Sequence, residues 1–279
     1  MKPQDAVLLQ GGAVQVPVSG TRGGQAFAAS DWVAEEVPVA LEFNGISHAV
    51  MLATPLELED FALGFSLSEG ILSGAHELYG VERQDGPAGI SLRLDVASAA
   101  FARLKDRRRS MAGRTGCGLC GTESLAQVAR PLPVLPPGAV FHPDAIARAM
   151  DEMRALQNLQ QATGAVHAAA WCSTEGQVLL LREDVGRHNA LDKLIGALAR
   201  QGTAASNGGF IAVTSRASFE MVQKTVLAGA PLLAAVSAAT SFATATADAA
   251  GLTLVGFARG ADLVAYTHPE RISPCTATT

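Results

Sequence analysis

Phe210-Ile211-Ala212-Val213-Thr214-Ser215-Arg216-Ala217-Ser218-Phe219-Glu220 reads as a strand, a polar turn and a helix start. A short apolar run bounded by Ser and Thr suits a buried strand, and helical spacing resumes at Phe219. The unit continues downstream with helix Phe219 to Leu227, strand Leu232 to Ser237, helix Phe242 to Ala249 and strand Leu252 to Phe257. Upstream lie helix Pro143 to Gln161, with Ile146, Met150, Met153 and Leu156 on one face, and helix Asn189 to Arg200. Between them Val166 to Cys172 and Gln177 to Arg182 form a hairpin around Thr174-Glu175-Gly176. Such alternation predicts an open, largely parallel sheet with helices on its faces. In such sheets ligands lie beyond the carboxyl ends of the strands.

Three polar clusters fall at those ends. Glu183-Asp184-Val185-Gly186-Arg187-His188-Asn189-Ala190-Leu191-Asp192-Lys193 follows the hairpin, and Thr214-Ser215-Arg216-Ala217-Ser218-Phe219-Glu220 opens a helix. Phe257-Ala258-Arg259-Gly260-Ala261-Asp262 closes the last parallel strand. Arginine forks and helix N-terminal amides are the usual equipment for phosphate, although helix caps and surface ion pairs use the same residues.

The amino-terminal half reads differently. Residues 1 to 30 are rich in Gly, Ala, Ser and Gln with no sustained period, which predicts a flexible lead-in. Val37 to Phe43 and Ile46 to Ala53 are strands joined by Asn44-Gly45, a pair that tolerates the positive φ of a tight hairpin. Thr54-Pro55-Leu56-Glu57 reads as a capping box opening a helix that ends near Gly70. Strand Ile90 to Val96, helix Ser98 to Arg109 and a short helix Glu123 to Ala129 follow. Four prolines in Pro131-Leu132-Pro133-Val134-Leu135-Pro136-Pro137-Gly138 exclude helix and mark a stiff boundary. The expected class is α/β, α+β overall: a smaller α+β domain over 31–130 precedes an α/β domain over 139–279. No internal repeat is read.

An apolar fraction of 48% with 17% charged residues describes a globular protein, and a net charge of −5 argues against generic nucleic-acid binding. The start, Met1-Lys2-Pro3-Gln4-Asp5, lacks a basic segment followed by an apolar one, so no signal peptide is read. Pro231 and frequent Ser and Thr break the Ala-rich stretch Val226 to Ala247, which predicts buried helix and strand there and no membrane association. A cytoplasmic location is expected.

The reactive chemistry is expected in Gly113-Arg114-Thr115-Gly116-Cys117-Gly118-Leu119-Cys120-Gly121, after the basic run Lys105 to Arg109. Glycine on both sides of each cysteine suits an open, adaptable loop. Neighbouring cations favour thiolate, the form that attacks sulfur or binds metal. Structural zinc needs four ligands, and neither Cys172, Cys275 nor the six histidines supply a paired spacing. A dithiol oxidoreductase would place its first thiol at an ordered helix start, which these glycines oppose. Two thiols packed in a turn gain little from so polar a loop. A sulfur carrier, in which Cys117 or Cys120 holds sulfur as a persulfide, fits the spacing best.

These segments, with Asn44-Gly45-Ile46-Ser47-His48, Phe61-Ala62-Leu63-Gly64-Phe65, Ser215-Arg216, Phe219-Glu220, Gly256 to Gly260 and Tyr266-Thr267, resemble the formate dehydrogenase accessory sulfurtransferases of the FdhD family. The resemblance runs in order from Val37 to Arg271. It implies a cytoplasmic sulfurtransferase, usually a homodimer, that takes sulfur from a cysteine desulfurase. The sulfur passes to the molybdenum bis(molybdopterin guanine dinucleotide) cofactor for formate dehydrogenase. It also implies a cytidine-deaminase-like three-layer α/β carboxyl domain that binds the guanine nucleotide moiety. Cys117 would bear the persulfide with Cys120 as its partner, and Phe257, Ala258, Arg259, Gly260, Ala261 and Asp262 would touch the cofactor. Ser215 joins Arg187, Arg216 and Arg259 as candidate cofactor contacts, the arginines for phosphate, with His188 as polar contact, proton shuttle or structural cap. The zinc-binding HxE and PCxxC pattern of deaminases is absent, so no metal is expected. A chaperone that only holds cofactor and enzyme together would share the nucleotide site without needing reactive thiols.

Overall fold

The computed structural model describes residues 11–111, 131–203 and 208–273, without the side chains of 106–111. The loop 113–121 and the helix expected over Glu123 to Ala129 lie outside the described residues.

Three sheets organise the chain. The first is a two-stranded ribbon, β1 (Ala13–Arg22) and β2 (Gln25–Ala34), turned at Gly23-Gly24 where φ is +58° and +81°. From Ala13 to Ser30 this corrects the expected flexible lead-in; residues 1–10 lie outside the described residues. The ribbon escapes a periodicity reading because most of its residues are exposed and only the short run Val14, Val16, Val18 alternates along one face.

A four-stranded sheet follows in the order β4-β3-β6-β5. It comprises β3 (Val37–Phe43), β4 (Ile46–Ala53), β5 (Leu78–Gly86) and β6 (Gly89–Val96). The Asn44-Gly45 turn has the positive φ values its sequence demands, 45° and 80°. The Asn44 side chain extends the ladder by donating to the Val96 carbonyl and accepting its amide. Strand β5 is legible only with difficulty, as an edge strand whose residues are largely exposed. Val39, Leu41, Phe43, Leu92 and Leu94 pack against α1 (Leu58–Ser68) and α2 (Ser98–Met111).

Helix α1 does not open on the expected capping box. Glu57 sits in the left-handed region at φ 45° without a side-chain cap, and the Thr54 hydroxyl instead accepts the Val185 amide, 131 residues along the chain. Nine of its eleven residues are buried, because α1 lies between the four-stranded sheet and the helix Arg187–Arg200.

The six-stranded sheet runs β12-β11-β10-β9-β7-β8. Its strands are β7 (His167–Ser173), β8 (Val178–Asp184), β9 (Gly209–Val213), β10 (Leu232–Ala235), β11 (Thr253–Arg259) and β12 (Asp262–Ala265). Only the β9–β10 and β10–β11 pairings are parallel; the β7–β8, β7–β9 and β11–β12 pairings are antiparallel, so the sheet is mixed rather than largely parallel. Helices α5 (Arg187–Arg200), α6 (Phe219–Leu227) and α7 (Ser241–Ala249) cover one face. Helix α3 (Pro143–Leu156) covers the other through Ile146, Met150 and Met153. The single helix expected over Pro143 to Gln161 is broken at Gln157, where ψ is 77°, and resumes as α4 (Asn158–Thr163). The Pro-rich boundary is extended as expected but pinned: Leu135 is buried, and its amide donates to the Ala250 carbonyl.

Candidate functional site

Strand direction decides which residues meet. Since β7 is antiparallel to both β8 and β9, the carboxyl ends of β8, β9, β10 and β11 share one edge. That edge carries Arg187 and His188 after β8, Ser215 and Arg216 after β9, and Phe257 to Asp262 around the end of β11. The structure therefore places the three predicted clusters on one rim.

The loops after β9 and β10 are zipped together. Ala217 donates to the Ala238 carbonyl, Thr240 donates to the Ala217 carbonyl, and Ala217 and Ala239 form a parallel bridge. Helices α6 and α7 consequently start side by side, with the Phe219 and Phe242 rings 4.5 Å apart at 31° and Phe242 49% exposed. Placed in register, Ala212-Val213-Thr214-Ser215-Arg216-Ala217-Ser218-Phe219 and Ala235-Val236-Ser237-Ala238-Ala239-Thr240-Ser241-Phe242 are two versions of one strand–loop–helix unit. This corrects the reading of no internal repeat. That local repeat is the signal that would have marked Phe242 and Ser237, which the sequence reading left out.

The cluster Glu183 to Lys193 divides. Five members serve the fold. Glu183 caps α4, accepting the Leu159 and Gln160 amides at 2.9 Å each. Asp184 and Lys193, both fully buried, pair at 2.7 Å; Asp184 also accepts the Thr54 and Gly186 amides and the Asn189 side chain, while Lys193 donates to the Thr54 carbonyl. Asn189 donates to the Leu52 carbonyl, and Asp192 pairs with Lys224. Buried charges need such partners, and here the partners weld β4 and α1 to α5 and α6.

Arg187 and His188 remain for the rim. No carboxylate lies within ion-pairing distance of Arg187, Arg216 or Arg259 among the described residues, whereas Arg83, Arg103, Arg182 and Arg200 are all paired. The buried Arg187 Nε and His188 Nε2 have no hydrogen-bond partner among those residues. Burial, with Arg187 and Lys224 nearby, pushes His188 down to about 4, so its ring is neutral at pH 7. His167, whose Nδ1 stands 3.4 Å from the Thr214 hydroxyl, is lowered by burial and then by Arg187. Burial works to raise the Glu220 carboxyl, but its own amide, Ser218, His188 and Arg187 outweigh that and lower it. The buried Ser215 hydroxyl donates to the Arg216 carbonyl, which shapes the loop and leaves the Arg216 guanidinium exposed.

At the end of β11, Phe257 is 42% exposed and holds φ 51°, a costly conformation for an aromatic residue. Its amide donates to the Ser237 carbonyl at 3.3 Å, and Arg259 Nε donates to the Val236 carbonyl at 2.9 Å, so both reach across β10. Ala258 is buried, which makes it support rather than surface. Gly260 turns at φ 55° into β12; Ala261 and Asp262 are exposed at the far rim. Cys117 and Cys120 lie outside the described residues. Within those residues, no group of three or more His, Cys, Asp or Glu side chains is arranged to hold a metal ion. No helix there is long and apolar enough to cross a membrane.

Fold and site together define a three-sheet α/β protein with a cationic, aromatic edge at its strand ends. The sequence matches the FdhD/NarQ family over residues 34–273, and the chain belongs to that family. A protein of Variovorax paradoxus named sulfur carrier protein FdhD is 70% identical over 273 residues, covering 98% of each chain. A protein of Cupriavidus necator with the same name is 59% identical, covering 91% of this chain and 88% of its own. A solved structure from Desulfotalea psychrophila, described as a formate dehydrogenase accessory protein, superposes with a TM-score of 0.74. It covers 94% of this chain and 100% of its own at 22% identity, a likeness that speaks to the fold.

Proposed function

We propose that this protein is a homodimeric sulfurtransferase that accepts sulfur from a cysteine desulfurase. It passes that sulfur to the molybdenum bis(molybdopterin guanine dinucleotide) cofactor as substrate, for use by formate dehydrogenase. The observation that carries the reading is the near-full-length identity to proteins named sulfur carriers. The CxxC with glycine on both sides of each cysteine supplies the reacting groups.

In the acceptor step the Cys117 thiolate attacks the terminal sulfur of the donor persulfide. One sulfur–sulfur bond forms and one breaks, and the electron pair leaves with the donor thiolate, so no external oxidant is needed. Delivery as sulfide takes two further electrons. The Cys120 thiol supplies them by attacking the Cys117 sulfur, expelling hydrosulfide and leaving a disulfide between the two cysteines.

The carboxyl edge would hold the guanine nucleotide moiety. Arg187, Arg216 and Arg259 carry charge without carboxylate partners among the described residues, which suits phosphate. The exposed Phe242 and Phe257 offer flat faces to a planar ring, and neutral His188 with Ser215 lends hydrogen-bonding polarity nearby. Ala261 and Asp262, on the far rim, are outer contacts. Calorimetric titration with guanosine diphosphate tests this edge. Arg259→Ala and Arg216→Ala should each weaken binding at least about 5-fold, the loss of one charge-assisted bond; unchanged affinity in both would remove the assignment.

A further inference from the structure

The β1–β2 ribbon has one face that nothing described in the chain covers. Residues opposite each other in an antiparallel pair point to the same side. One face therefore carries the pairs Val14–Val33, Val16–Asp31, Val18–Ala29, Gly20–Phe27 and Arg22–Gln25. The other carries Ala13–Ala34, Gln15–Trp32, Pro17–Ser30, Ser19–Ala28 and Thr21–Ala26. Only its base is covered, where Ala13, Trp32 and Ala34 pack against Leu159, Ala162, Val166 and Val185; beyond the base it is exposed but uncharged and richer in Ser and Thr. Val14 and Val33, across the ribbon at the same base, are 42% and 37% exposed. From Val16 to Asp31 every residue is exposed or half-exposed. A free two-stranded ribbon is marginal in water, and an apolar strip with open strand edges invites pairing.

The strip's charges are arranged to select a second copy of itself. Between Ala13 and Ala34 only Arg22 and Asp31 are charged, and register puts both on the apolar face. Asp31 stands near the base beside Val16. Arg22 stands near the tip, over the Phe27 ring at 5.3 Å from its centroid. At ~3.4 Å per residue the two are roughly 20 Å apart along the ribbon. If two ribbons pack face to face, antiparallel about a twofold axis through the level of Ser19, each Asp31 meets the other copy's Arg22. Val18 and Ala29 then meet the other copy's Gly20 and Phe27. Such a contact is isologous and closes on itself.

We infer that the Val14–Phe27 face of the ribbon is the self-association surface of this chain, paired antiparallel with the same face of a second copy through reciprocal Asp31–Arg22 contacts. The inference gives a place to the homodimer proposed above and rests on that part of the reading. Ten residues a side is about half of a standard interface, so a reversible, concentration-dependent dimer is expected.

Sedimentation velocity of the full chain across a concentration series tests it. The wild type should show a monomer–dimer equilibrium that Val18→Asp and Phe27→Asp each weaken at least about 10-fold. Arg22→Asp and Asp31→Arg should each weaken it, and the double exchange should restore most of the loss. Unchanged guanosine diphosphate binding and far-ultraviolet circular dichroism would show that the variants are folded. A wild type monomeric at every concentration overturns both the homodimer and this surface, leaving the strip to a different protein. A dimer indifferent to Val18→Asp and Phe27→Asp overturns the surface alone, and a double exchange without rescue overturns the antiparallel arrangement.

Discussion

Lys224 of α6 and Asp192 of α5 meet at 2.9 Å in the seam where α1 packs on α5 and α6, and the same ammonium donates to Ser68 at 2.8 Å and to Glu69 at 3.1 Å at the end of α1. Burial works against the ammonium, yet Asp192 and Glu69 outweigh it and hold Lys224 above its usual range. Helix α6 begins at Phe219 on the candidate ligand edge, so one buried cation joins that edge to α1, which shares a core with α2, the helix that precedes the CxxC segment in sequence. Removing it strands a buried carboxylate. Lys224→Met should destabilise the protein by about 3–5 kcal/mol in urea denaturation. The double variant Lys224→Met/Asp192→Leu should recover much of that loss; a loss below about 1 kcal/mol in the single variant would contradict the seam's role.

Close backbone approach is the seam's second element. A Cβ on Gly64 would collide with the Asp192 carbonyl, and one on Gly196 with the Asp60 carbonyl. Gly64→Ala and Gly196→Ala should each cost about 1–3 kcal/mol or more, because helix backbones must separate. Gly202, at φ +65° with open space around its Cα, is the control: its alanine variant should cost only about 1 kcal/mol, from backbone conformation alone. Thermal midpoints measured side by side separate the two cases.

The neutral ring of His188 makes a pH-dependent prediction. Its folded value, about 4, lies below the unfolded value near 6.5, so between them the unfolded chain binds the extra proton. Stability from this residue is complete above about pH 6.5 and falls as the pH drops toward 4, by about 3 kcal/mol in all. His188→Gln should lose less stability than the wild type between pH 7 and pH 4.5. Parallel curves for the two proteins would show that the ring is not held neutral.

Phe257 predicts a trade of affinity for stability. Phe257→Gly removes an exposed side chain from a left-handed position and should raise stability by about 1 kcal/mol. The same change should weaken guanosine diphosphate binding, since the strain is kept for the ring it presents. Calorimetry and a thermal melt on one preparation read both.

Much of the fold was legible where burial imposes a pattern. Strand β3, the Asn44-Gly45 turn, helix α6 and the short parallel strands β9 and β10 each carry a local signal that survives packing. Exposed strands do not: β2, β5 and β12 face solvent and lack an apolar period, and β1 alternates only over Val14, Val16 and Val18, on a face that no described residue covers. Thr54 read as a cap because sequence shows spacing, while the structure uses its hydroxyl for Val185, 131 residues away. The site followed the same division. Arg187, His188, Ser215, Arg216, Phe257 and Arg259 were legible as clusters at strand ends. The burial of Asp184, Asn189, Asp192 and Lys193 depends on packing against Leu52, Thr54 and Ser68, more than 120 residues away, which spacing cannot reveal.

The central claim is that Cys117 carries sulfur, and intact-protein mass spectrometry tests it most directly. The wild type, Cys117→Ala and Cys120→Ala should each be incubated with a cysteine desulfurase and cysteine. The account predicts the gain of one sulfur mass in the wild type, cleared by reductant and absent from Cys117→Ala. The same adduct on Cys117→Ala, or no adduct on any form beside an active desulfurase, would contradict it.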